Sequence, residues 1–146
     1  MDPTQKLAIE AECIRLMHQF SWAVDAMDYD GVVALFVPDC TFGRDDVYYQ
    51  GHDGLRQSLN SRPRDRMTRH VCANEVIDVV DANRATGKAY CVVWGHRGPL
   101  SETGEGKLGV PDSLILYTAE FRRTPAGWRI AKWHIGLSFR KPASAA

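Results

Sequence analysis

The stretch YTAEFRRTPAGWRIAKWHIG, residues 117–136, decides the fold. Its arms lie within segments 113–124 and 127–139, both rich in β-branched and aromatic residues, and Thr124-Pro125-Ala126-Gly127 between them has turn chemistry. It reads as a hairpin of two long strands. Working back, segments 85–97 and 67–80 have the same character and are separated by a second turn at Asp81-Ala82-Asn83. The second half of the chain is therefore a meander of long antiparallel strands.

Upstream of residue 60 the hydrophobic period changes. Cys13, Met17, Phe20 and Val24 follow an i, i+4, i+7, i+11 row, which predicts a long amphipathic helix from Thr4 to Met27, capped by Asp2 or Thr4 with Pro3 in the first turn. A short second helix is expected over GVVALFV (31–37), ending before Pro38 because a proline pushes the preceding residue out of the α region. TFGRDDVYYQG (41–51) reads as two short strands or a strand and a turn, and HDGLRQSLNSR (52–62) as a third helix started by His52 or Asp53. Helices first and strands afterwards make an α+β domain.

The linker GPLSETGEGKLGVPD (98–112), with four glycines and two prolines, is long for a hairpin connection and is expected to be a flexible loop, either a lid or an insertion. The tail KPASAA (141–146) is expected to be unstructured. At 146 residues the chain has the size of one domain, and 45% hydrophobic and 25% charged residues are ordinary globular values.

Eighteen basic residues balance eighteen acidic ones without forming a basic stripe, which argues against nucleic acid as a partner. The local cluster Arg62, Arg64, Arg66 and Arg69, interrupted by Pro63 and Asp65, reads as a solvated loop. Cys13, Cys40, Cys72 and Cys91 lack the spacing of a metal site and fit free buried thiols in a reducing compartment. With no basic and apolar leader pattern at the N-terminus and no long apolar run, the expectation is a cytoplasmic protein with no membrane partner.

Some polar residues do not fit a purely structural reading. Ile14, His18, Ser21 and Asp25 form a helical row beside the apolar stripe, so Asp25 points towards the sheet, where an ionised carboxylate is costly without hydrogen bonds. Asp28 and Asp30 read instead as solvated or capping residues. Alternation along RMTRHVCANEVIDVV (66–80) puts His70, Cys72, Asn74, Val76, Asp78 and Val80 on one face and Val71, Ala73, Ile77 and Val79 on the other. An odd-length turn at 81–83 would set His70 opposite His96, and an even one would shift that register by a residue. A strand histidine is commonly structural; two converging histidines beside an aspartate suggest chemistry. His18, His52 and His134 have no comparable partners in the sequence.

Taken together, FSWAVDAMDYDGVVALFVPDCTF (20–42), GHDGL (51–55), TRHVCANEVIDV (68–79) and the closing hairpin make the chain resemble the nuclear transport factor 2-like superfamily over residues 5–139. Within it the pattern is similar to SnoaL-like domains and to scytalone dehydratases. The resemblance implies a cone-shaped α+β barrel, a curved mixed or antiparallel sheet wrapped around the N-terminal helices.

In site residues the chain also resembles hexachlorocyclohexane dehydrochlorinase. The resemblance implies a catalytic aspartate and histidine at Asp25 and His70 and a second histidine at His96, one residue beyond the usual spacing. Val24 stands where scytalone dehydratase has a tyrosine, and Tyr48 or Tyr49 matches a second pocket tyrosine. The chemistry implied is a lyase reaction of the dehydratase type, with His70 as general base and Asp25 orienting it, needing no metal and no organic cofactor. Trp22, Trp94 and Leu116 would help Tyr48 and Tyr49 bind a small hydrophobic, cyclic or aromatic substrate. Alternatives on the same scaffold are a polyketide cyclase or isomerase, or a non-catalytic module such as the small subunit of an aromatic-ring dioxygenase. Members of the superfamily associate through the sheet, which implies a homodimer or homotrimer.

Overall fold

The computed structural model describes residues 1–142. Helix α1 spans Pro3–Asp25, and its start is fixed reciprocally: the Asp2 carboxylate accepts from the Gln5 backbone N–H (2.9 Å) and the Gln5 side chain from that of Asp2 (3.3 Å). The predicted row Cys13, Met17, Phe20 and Val24 is buried. Asp28 caps the short helix α2 (Tyr29–Ala34) by accepting from Gly31 N–H at 2.9 Å.

The expected helix over 31–37 ends three residues early. Phe36 and Val37 belong instead to strand β1 (Phe36–Arg44), and Phe36 pairs with Ile130. The helix thus ends before Pro38 is reached, and the proline is accommodated in the strand because the β1 pairing is irregular between Phe36 and Thr41. Strand β2 (Val47–Gln50) and helix α3 (Gly51–Asn60) follow.

The meander is β3 (Arg66–Val79), β4 (Arg84–Arg97), β5 (Ser113–Thr124) and β6 (Gly127–Arg140), within two residues of the spans read from the sequence. The six strands form one curved, unclosed sheet in the order β2-β1-β6-β5-β4-β3. Only β1 and β6 run parallel; every other neighbour is antiparallel. Helix α1 lies across β3 on the inner face, and α3 covers β1.

The core is built where α1 meets β5 and β6. Phe20 packs on Trp133 with ring centroids 4.4 Å apart, and Tyr117 lies 4.6 Å from the same indole. Phe121, Trp128 and Ile130 fill the adjoining space. All four cysteines are free, three of them buried and Cys72 partly so. No described helix is long and apolar enough to cross a membrane.

One irregularity corrects the alternation read along β3. The pairing with β4 shifts between Ala73 and Val76, and Asn74 adopts φ 58°, a left-handed conformation that asparagine tolerates better than most residues. This bulge flips the face assignment midway, so that Thr68, His70 and Cys72 before it and Ile77 after it all turn inward. Residues 143–146, most of the tail expected to be unstructured, lie outside the described residues.

Candidate active site

Asp25 closes the last turn of α1, where the helix dipole disfavours a carboxylate. Three donors hold it there. Thr68 and His70, two residues apart on one face of β3, both reach it: Thr68 Oγ1 donates to Oδ1 (2.8 Å), His70 Nδ1 to Oδ1 (2.6 Å) and the His70 backbone N–H to Oδ2 (2.8 Å). The side chains of His70 and Asp25 are 8% and 9% exposed.

Burial pushes the Asp25 carboxyl up, but the hydrogen bonds and charge of His70, with the bond from Thr68, outweigh it and hold the group below its ordinary value. Asp25 is thus an ionised acceptor, and it fixes the proton of the imidazole on Nδ1. The opposite ring nitrogen, Nε2, has no protein partner among the described residues and so is free to accept a proton.

His70 lines a cavity of about 910 Å³. Its inner walls are apolar, with Phe20, Val24, Phe42, Leu59, Val93 and Ile115 among them, and Tyr117 contributes a phenol. Burial, then the neighbouring Cys91 and Cys72 thiols, hold that phenol well above its ordinary pKa, so it is a hydrogen-bond donor. Towards solvent the lining changes to Arg44, Arg62, Arg66, Arg97, Arg140 and Lys141.

Of the residues singled out from sequence, the structure brings Asp25 and His70 together and leaves the others outside the cavity. His70 is opposite Val93, and His96 is opposite Met67, three residues from the expected register. His96 therefore alternates onto the outer face, where Nε2 donates to Pro99 carbonyl (3.2 Å) and Nδ1 accepts from Lys107 N–H (3.2 Å). Trp22 is 77% exposed on the far flank of α1.

Trp94 and Leu116 also fall on the outer face, because their strand neighbours Val93, Ile115 and Tyr117 take the inner one. Tyr48 stacks on His134 at 5.8 Å, and Tyr49, its neighbour on β2, does not line the cavity either. The arginine cluster needs a further correction, since Arg62 and Arg66 line the cavity instead of a solvated loop, while Arg64 lies over the Tyr29 ring (5.0 Å) and Arg69 is exposed.

Thr68, Arg62, Arg66 and Tyr117 were missed. For Thr68 and Arg66 a signal was present: counting back from His70 in steps of two puts both on its face. Gly95, opposite Thr68, keeps this wall open, because a Cβ there would collide with the Asp112 carboxylate that pairs with Arg66 at 2.6 Å.

The profile of the SnoaL-like domain matches residues 5–134. Among solved structures, a candidate scytalone dehydratase from Novosphingobium aromaticivorans superposes with a TM-score of 0.81 at 17% identity, covering 99% of this chain and 94% of that one. Hexachlorocyclohexane dehydrochlorinase LinA-type3 from Novosphingobium barchaimii gives 0.78 at 19% identity, covering 99% and 97%. A nuclear transport factor 2-like protein with a cystatin-like fold, also from Novosphingobium aromaticivorans, gives 0.75 at 21%, covering 92% and 84%. At these identities the likeness is one of fold. No curated protein matches the sequence.

Proposed function

The chain belongs to the SnoaL-like domain family, and from that premise we propose that it is a lyase that removes a carbon-bound proton and an adjacent leaving group from a small cyclic or aromatic molecule. The observation that carries this reading is the 2.6 Å bond between His70 Nδ1 and Asp25 Oδ1 in the wall of a cavity. His70 Nε2 takes the proton from carbon, and the C–H electron pair becomes the new double bond. The leaving group departs with its own bonding pair, as halide or, on taking up the proton that His70 Nε2 received, as water.

Asp25 offsets the charge of the imidazolium that forms and keeps the ring in the reactive tautomer. The cavity-lining guanidinium groups are the donors available to negative charge developing on the substrate. In this reading the donor role does not fall to His96, Tyr48 or Tyr49, which lie outside the cavity. Asp25 acting as the base itself, as the isomerase alternative requires, is disfavoured because three donors already occupy its oxygens.

The reaction is tested by incubating the protein in D2O with a panel of cyclic and aromatic β-hydroxy and β-halo carbonyl compounds. Mass spectrometry then reads both deuterium uptake at carbon and loss of the leaving group. His70→Gln is expected to lower the rate by about 10²–10⁴-fold. Equal rates for wild type and His70→Gln, with activity lost in Asp25→Asn, would replace this reading with the isomerase one.

A further inference from the structure

The chain as a whole carries eighteen basic and eighteen acidic residues, but the cavity does not share that balance. Six cationic side chains line it against two carboxylates, Asp45 and Asp112. Asp112 is already committed to Arg66 at 2.6 Å. Among the described residues, neither Arg44 nor Arg62 has a carboxylate within ion-pairing distance.

Arg62 is the more informative of the two. It is half-buried, its Nη2 donates to Thr68 Oγ1 at 3.3 Å, and its buried Nε has no hydrogen-bond partner. A guanidinium presents five donors in a planar fork, and leaving a buried one unmade is costly unless something outside the protein accepts from it. Burial, and next the charge of Arg62, lower the Arg44 pKa, and the neighbouring Asp45 carboxylate offsets this only in part, so the two cations feel one another. Arg62 also belongs to the chain Arg62, Thr68, Asp25, His70, so whatever binds its guanidinium sits beside the proposed base.

We infer that the cavity recognises a carboxylate on its ligand, held by Arg62 and Arg44 at the cationic side while the apolar body of the ligand packs against Phe20, Phe42 and Ile115. This deepens the lyase reading by naming the substrate class as an apolar carboxylic acid. It rests on that reading only for the word substrate, because the anion site is defined by residues that take no part in proton transfer. A planar carboxylate matches the guanidinium fork through two parallel N–H···O bonds, and charge-assisted bonds of this kind are the strong ones.

The test is equilibrium binding, which needs no turnover. Calorimetry on the whole protein compares benzoate and cyclohexanecarboxylate with the neutral isosteres benzamide and cyclohexanecarboxamide, and with inorganic phosphate. Carboxylates are expected to bind at least about tenfold more tightly than their amides. Arg62→Gln and Arg44→Gln should each remove most of that preference, Arg62→Lys should recover part of it, and Arg84→Gln, at the far end of β4, should leave it intact. Circular dichroism checks that each variant is folded; should Arg62→Gln unfold, Arg44→Gln and Arg62→Lys carry the comparison.

Equal affinity for acid and amide would overturn the inference, as would an acid preference unchanged in both Arg44→Gln and Arg62→Lys, or binding of phosphate alone. Carboxylate binding with no elimination or deuterium uptake would leave the anion site standing and remove the lyase reading instead.

Discussion

Two histidine and carboxylate pairs tie helix α1 to strand β3. In one the helix supplies the carboxylate and the strand the imidazole, Asp25 with His70 at 2.6 Å; in the other the roles are exchanged, His18 with Glu75 at 2.7 Å. The lengths are almost identical and the surroundings are not. The side chains of the first pair are 8% and 9% exposed, its imidazole lines a cavity, and its carboxylate accepts three hydrogen bonds. In the second, His18 is 48% exposed and Glu75 17%, and among the described residues the carboxylate has no second side-chain donor. Distance alone does not separate a candidate catalytic pair from a surface one; burial, the number of donors on the carboxylate and an adjoining cavity do.

The largest expected contrast is in rate. His70→Gln should cost about 10²–10⁴-fold in deuterium uptake or elimination, whereas His18→Gln, measured in the same assay, should stay within about twofold of wild type. Comparable losses in both would erase the distinction.

The next contrast is in stability. Asp25→Ala leaves three donors facing a small cavity and should lower the unfolding free energy by about 3 kcal/mol in urea titrations. This contribution also depends on acid. Asp25 has a folded pKa below its ordinary value of 3.8, so its stabilisation is fully present above that pH and fades as pH falls through the folded value. Urea curves of wild type and Asp25→Asn should therefore converge as pH falls below about 4; a gap that does not change with pH would mean that folding leaves the Asp25 pKa unshifted.

The bulge at Asn74 offers an intermediate effect. Asn74→Val puts a β-branched residue at φ 58° and should cost about 1–2 kcal/mol. Because Glu75 follows directly while His70 lies four residues before, chemical shifts of the His18 ring should change more than those of His70. The smallest effect is expected from Glu75→Ala, about 1 kcal/mol or less and weaker at 0.5 M salt, as for a partly exposed ion pair.

Much of this is legible in the sequence. The spans of β3 to β6 follow from composition and turn chemistry, and the Cys13, Met17, Phe20, Val24 row fixes the buried face of α1. That row in turn points Asp25 at the sheet. His70 stood out as a polar residue in an otherwise regular strand. What failed was the remainder of the site, and it failed for one reason. Both faces of the sheet are apolar, so alternation sorts Trp94 and Leu116 from Val93 and Ile115 without saying which set faces inward. His18 was given no partner because Glu75 reaches α1 only through a bulge that breaks strict alternation.

The sequence by itself determined the order of elements, the amphipathic helix and the two residues of the central pair, because periodicity and turn chemistry are local and survive without knowledge of the rest of the chain. Only the tertiary structure decided the β3–β4 register, the inner face and the gathering of Arg44, Arg62 and Tyr117 around His70. Those depend on where α1 lies across the sheet and on how strands far apart in sequence pair, and a slip of one residue in that pairing exchanges every inward side chain for an outward one.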